Sequence, residues 1–317
     1  MNLNLPIFDH VANSKSILIA GMGGGFDIFC GLPIYFELKE RGLNVHLANY
    51  SFTDLDELKN GIELTDSLFG VTAAVETFIP YFPEGYLARW LKEKRSDDTT
   101  IWCFKKTGVH PLLENYRKLV QHLSIDAIIL IDGGVDSLMH GDEAQLGTIV
   151  EDSISLVAVG ELDNVPVRLS VCIGMGAEQD IAYAQVFENI AQLSEAGAFL
   201  GSCSLSKRFE SYEAYEEAVM FVQSQPYQDP SVINSSIVSA VQGNHGNFHL
   251  TAKTKGSYLS ISPLMAIYWF FELSAVAERN MFYSQIRYTM SFRDAFLNLS
   301  QVRMMLPPRK PSRNALG

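Results

Sequence analysis

Cysteine is scarce in this chain and never paired. Cys30, Cys103, Cys172 and Cys203 stand singly among 317 residues, with no CxxC spacing, which removes zinc-finger and thioredoxin-like readings. Three of them lie in or beside apolar runs, where a free thiol behaves as a small hydrophobe. Basic residues are also short: 24 Lys and Arg against 36 Asp and Glu leave a formal net charge of −12. Nucleic acids and anionic membrane surfaces both select basic faces, so neither is an expected partner. The opening residues lack a charged segment followed by an apolar one, so no secretory signal is expected and a reduced, cytoplasmic setting follows. The very apolar stretch Leu259 to Ala277 is broken by Pro263 and Glu272. It reads as a buried or subunit-interface helix of a homo-oligomer, not a membrane span. Walker loops, GxSxG elbows, HExxH pairs and kinase signatures are missing too.

What is present describes a globular α/β protein. Hydrophobic residues make up 47% and charged residues 19%, and a chain of this length buries a large core. Ser16 to Ala20 is an apolar strand that runs into Gly21-Met22-Gly23-Gly24-Gly25-Phe26-Asp27, and a helical pattern follows to Arg41. Gly42 stops that helix, and Asn44 to Tyr50 is a second strand. Strand, glycine turn, helix, strand opens a doubly wound, mainly parallel sheet with helices on both faces.

Further strands are expected at Thr100 to Phe104, Ala127 to Ile131, Val165 to Ile173 and Ala198 to Cys203, with helices between them. The segment 51–99 reads as an insert with a short amphipathic piece through Leu55, Leu58, Ile62 and Leu64, placed to act as a lid or specificity element. Residues 1–225 form the α/β core in this reading. Residues 226–303 are a mainly helical addition packed on it, and 304–317 a mobile tail.

Three of the strands end alike, in glycines followed by acid. These are Gly23, Gly24, Gly25 and Asp27; then Asp132, Gly133, Gly134 and Asp136; then Gly174, Gly176 and Glu178. In a parallel sheet such turns share one edge, the edge where ligands bind. Each alone could be turn chemistry, with Asp27 merely capping its helix. Together they point to a site.

Carboxylates gathered there repel one another and repel a bare phosphate unless a cation or a hydrogen-bonding ligand relieves them. A divalent metal, Mg²⁺ or Mn²⁺, held by Asp132, Asp136 and Asp142 is the expected solution. Asp132, Asp136 and His140 are the expected catalytic groups, working by metal-assisted hydrolysis or group transfer on a phosphate- or ribose-bearing small molecule. Asp142 and Glu143 have a plainer reading as the acidic first turn of the next helix. His245 and His249 have metal-ligand spacing, but their glycine-rich loop does not support a helix.

A less favoured expectation makes the first glycine turn bind NAD or S-adenosylmethionine. Against it, Asn49, Tyr50 and Ser51 stand where a ribose-binding acid is wanted. A ligand-sensing or assembly protein is the non-catalytic alternative.

By AGMGGGFDIFCGLPI (20–34) and LIDGGVDSLMHGDE (130–143) the chain resembles the domain-of-unknown-function 1152 family of archaeal and bacterial proteins. The likeness extends to about residue 300. It implies a Rossmann-like α/β architecture and a cytoplasmic protein, and transfers no activity.

Overall fold

The computed structural model describes residues 6–76 and 79–310. Nine strands form one mixed sheet: β1 (Ile17–Gly21), β2 (Val45–Tyr50), β3 (Ile62–Thr65), β4 (Leu68–Val71), β5 (Ile101–Phe104), β6 (Ala127–Gly133), β7 (Val167–Ile173), β8 (Phe199–Ser204) and β9 (Ile267–Glu272). Their spatial order is β3-β4-β5-β2-β1-β6-β7-β9-β8. The central five, β5-β2-β1-β6-β7, are all parallel. Only β4 and β9 run against the rest.

The central strands are apolar throughout because both of their faces are covered. Ile17 and Ile19 of β1 and Ile129 and Ile131 of β6 pack into one core, on the side of helices Leu32–Glu40, Pro83–Arg95 and Glu210–Gln223. Leu18, Ala20, Ile128 and Leu130 face the other core, beneath helices Val109–Leu123, Ile149–Gly160 and Tyr183–Glu195. Each such fully buried aliphatic side chain contributes about 1.5–3 kcal/mol.

Strand order reverses between β1 and β6. The helix after β1 goes to one face and the helix after β6 to the other, so the two connections part at the carboxyl edge and leave a crevice between them. The site lies there.

Four expectations are revised. Residues 226–303, expected as a mainly helical part packed on the core, also supply β9, which lies between β7 and β8 inside the sheet. The stretch expected as one helix from Leu259 to Ala277 is this strand followed by helix Leu273–Arg279. An apolar run of that length does not distinguish strand from helix by periodicity, and the aromatic cluster Tyr268, Trp269, Phe270 and Phe271 favours the pleated form. Tyr268 and Phe270 pack into the first core and Phe271 into the second.

In the 51–99 insert, the expected amphipathic segment is a 3-10 turn at Leu55–Glu57 followed by β3, which pairs with β4 in a hairpin that widens the sheet beyond β5. Its strands are short and Ile62 is exposed, so neither shows a strong pattern. The expected tail from 304 is fixed as far as it is described. Helix Phe292–Met305 runs into it, and Arg309 is held by Asp142, Glu143 and Glu188. Residues 311–317 lie outside the described part. Among the described residues no helix is long and apolar enough to cross a membrane.

Candidate functional site

The turn after β1 is held by its own acid. Asp27 opens the helix Asp27–Cys30, but it is not the cap residue, which is Phe26. Its carboxylate folds back to accept from the Gly23 amide at 2.6 Å. The far end of the turn is fastened by Asn49 at the end of β2, which donates to the Gly25 carbonyl at 2.9 Å and to Glu84 at 2.8 Å. Glu84 is fully buried and also accepts from the Thr53 hydroxyl. Gly24 has φ +95°, and a Cβ there would meet the Phe52 ring at 2.4 Å, so both backbone and neighbour demand glycine.

At the end of β6, Asp132 is buried and accepts from the Ser137 amide at 3.2 Å. Asp136 accepts from the Thr148 amide at 2.8 Å and from its hydroxyl at 3.0 Å. Glu178, from the turn after β7, accepts from the Val135 amide at 2.8 Å. Asp136 and Glu178 also lie side by side against Gly147, and their interaction favours the proton on Glu178 over Asp136. Two carboxyls this close do not readily ionise together. Gly147, at φ +61°, lets the chain pass both, since a Cβ there would lie 2.7 Å from Asp136 and 2.9 Å from Glu178.

Asp152 completes the group from the helix Ile149–Gly160. It is 1% exposed, and its Oδ1 has no hydrogen-bond partner. A Cβ on Gly23 would lie 2.8 Å from that oxygen and 2.6 Å from Asp27 Oδ2. One carboxylate oxygen from each of Asp27, Asp132 and Asp152 lies within 4.8 Å of the others.

Burial raises the affinity of all these acids for protons, and their mutual repulsion adds to it. Asp27 is pushed up to about 8, against the pull of the Gly23 amide. Asp132, Asp152 and Glu178 are pushed well up by burial and then by one another and Asp136. Asp136 is raised by burial too, with the Thr148 bonds opposing. Asp27 stays partly open to the cleft, with the buried acids Asp132, Asp136 and Asp152 around it.

These residues line a cleft of about 710 Å³, together with Phe52, Tyr81, Lys106 and Lys253. Both lysines are already engaged, Lys106 with Glu151 at 2.7 Å and Lys253 with Asp229 at 2.6 Å. The inner carboxylates therefore have no cation of their own among the described residues. Oxygen donors alone, negatively charged and partly unpartnered, suit a hard divalent ion such as Mg²⁺ or Mn²⁺.

The structure brings together Asp27, Asp132, Asp136, Glu178, Gly23, Gly24, Gly25 and Gly133. Gly134 stands just behind, its open side filled by the Glu178 and Asp132 carboxylates. It does not bring Asp142 or His140 to the cleft. Asp142 accepts from Arg309 Nε at 2.9 Å, with His140 Nδ1 at 3.4 Å, and neither lines the cavity. Glu143 does not open a helix: it accepts from the His140 and Gly141 amides and from Arg309. Gly174 and Gly176 serve their turn, packed against Ile233 and the Tyr183 hydroxyl. His249 bonds Thr254 and lies apart from the carboxylates, as does His245.

Asp152 was missed by sequence reasoning, although a signal existed. It is an acid on the inward stripe of a helix otherwise buried through Ile149, Ser153, Ile154 and Leu156, a place where an unpaired charge needs a reason.

Neither a search of curated proteins nor one of solved structures finds a match. A family model described as "Protein of unknown function (DUF1152)" matches residues 66–306. The match covers β6 with its acids and the turn after β7, and begins after the first glycine turn. With about three quarters of its length so matched, the chain belongs to the DUF1152 family.

Proposed function

We propose that this is a Rossmann-like small-molecule enzyme that uses a divalent metal for hydrolysis or group transfer on a phosphate-bearing substrate. The order β5-β2-β1-β6-β7, with the cleft at its point of reversal, supports the Rossmann-like reading. The metal reading is carried by one observation: Asp152, buried and with an unpartnered Oδ1, brings a carboxylate oxygen within 4.8 Å of those of Asp27 and Asp132. Ionised and unpaired, such a group would cost roughly several kcal/mol; without a cation its pKa rises instead, and a cation in the proton's place lets it ionise.

Asp27, Asp132 and Asp152 would hold the ion. Bound there, Mg²⁺ or Mn²⁺ supplies positive charge for phosphate oxygens and lowers the pKa of water. The remaining roles belong to the chain. The glycine turn at Gly23–Gly25 lets Phe52, Tyr81 and the carboxylates of Asp27 and Asp152 close on the backbone at the cleft wall, and Asn49 with Glu84 keeps that turn in place. Glu178, at the cleft wall beside Asp136, has its proton affinity raised by burial and by the neighbouring acids, which suits it to act as a general acid toward a leaving oxygen. Lys106 lies where it can exchange Glu151 for a substrate anion.

NAD or S-adenosylmethionine fits less well. Asn49, at the end of β2, is fully buried and bonded to the Gly25 carbonyl and Glu84, so it offers no group to a ribose.

A thermal-shift titration tests the proposal. Millimolar Mn²⁺ or Mg²⁺ is expected to raise the melting temperature of the wild type and to leave Asp152→Asn unmoved, since an ion that binds only the folded state stabilises it. Equal shifts in both proteins, or none in either, would remove the metal from the mechanism.

A further inference from the structure

Opposite the carboxylates, the cleft carries an aromatic surface that metal chemistry alone does not use. Phe52 is 44% exposed and lines the cavity. Its ring lies against the Gly24–Gly25 backbone, so close that a Cβ at Gly24 would strike it. Tyr81 lines the same wall, its hydroxyl 2.9 Å from where a Gly25 Cβ would stand. Lys106 Nζ rests 4.8 Å from the centre of the Phe52 ring while it pairs with Glu151. Glycine turn, ring and carboxylates are contiguous: Gly23 touches Asp27 and Asp152, and the next residue touches Phe52.

We infer that the substrate is a nucleotide, its base stacked on Phe52 and its phosphates across the Gly23–Gly25 turn toward Asp27, Asp132 and Asp152. This rests on reading the cleft as the substrate site of the proposed reaction. An exposed phenyl ring in a polar cleft presents apolar area to water, and a planar base covers it at no cost in hydrogen bonds. The Lys106 ammonium now resting on that ring is a cation, and a phosphate draws it off, uncovering the ring face as it binds. Asp180 at the rim is a carboxylate that can accept the hydrogen bonds a ribose donates. The cleft volume of about 710 Å³ falls in the range of pockets that enclose a molecule of nucleotide size.

Calorimetric titration of the full chain with ATP, ADP, tripolyphosphate and ribose 5-phosphate, each with and without saturating Mn²⁺, tests this. Wild type is expected to bind ATP roughly tenfold or more tighter than tripolyphosphate, the gain typical of one stacked base. Phe52→Leu is expected to close that gap, with tripolyphosphate affinity and the Mn²⁺ thermal shift unchanged. Equal binding of ATP and tripolyphosphate by wild type, or a gap that survives in Phe52→Leu, overturns the inference. Loss of the Asp152-dependent Mn²⁺ response alone, with the Phe52-dependent gap intact, would reject the metal and keep the nucleotide.

Discussion

Asp132 and Glu143 are eleven residues apart in the same loop-rich stretch, and both are almost wholly buried, yet their charges are handled in opposite ways. Glu143 is neutralised from within the chain: Arg309 donates at 2.8 Å, Asn189 at 2.8 Å, and two backbone amides complete it. Burial alone would raise its pKa, but these donors outweigh burial and lower it. Asp132 has one amide and several other acids around it, so burial and Coulomb repulsion act together and raise its pKa. Where this protein wants a structural ion pair, it supplies an arginine. In the cleft it supplies none, and the acids are left facing one another.

The largest expected effect comes from breaking the neutralised side. Arg309→Ala leaves Glu143 buried without its cation and should cost about 3 kcal/mol of stability in denaturant unfolding, the lower end for a broken buried pair because three other donors remain. The Mn²⁺ thermal shift should persist in that variant.

On the other side the sign reverses. Asp132→Asn should leave the metal-free protein at least as stable as the wild type in denaturant unfolding, because it removes a buried acid whose neighbours repel its charge, while abolishing the metal response. A variant that loses stability without metal would show that Asp132 is a structural acid like Glu143.

The two regions should also respond oppositely to pH. Asp27 goes from an ordinary 3.8 to about 8 on folding, so the folded state holds the extra proton. Its contribution is complete below about pH 4 and is lost as pH rises toward 8. Glu143 is lowered from 4.5, so its contribution is complete above that value and is lost on acidification. Metal-free protein should therefore lose stability from pH 5 to 8, by about 1 kcal/mol per unit for each proton released. Saturating Mg²⁺ should flatten that slope by taking the protons' place. The smallest effect belongs to His140→Ala: its contact with Asp142 is 3.4 Å and partly exposed, so a change within about 0.5 kcal/mol is expected, with the metal response untouched.

Much of this was legible before any coordinates. The five parallel strands showed as apolar runs because strands covered on both faces have no polar alternation to hide them. Asp27, Asp132, Asp136 and Glu178 showed as acids placed after strands and beside glycines, a position that parallel topology brings to one edge. The hairpin of β3 and β4 did not show, since edge strands half open to solvent mix polar and apolar residues. β9 showed as an apolar stretch of the wrong type. Asp142 and His140 misled because nearness in sequence to Asp132 was taken for nearness in space, and the arginine that claims Asp142 comes 167 residues later.

From its residues alone, the chain determines an α/β sheet with several acids at its carboxyl edge, because hydrophobic patterning and turn chemistry are local properties. Which acids share a cavity, which of them meet Arg309, and that Asp152 reaches the others from a separate helix were decided only by tertiary packing. Burial and the distance between charges set those outcomes, and both are properties of the folded chain.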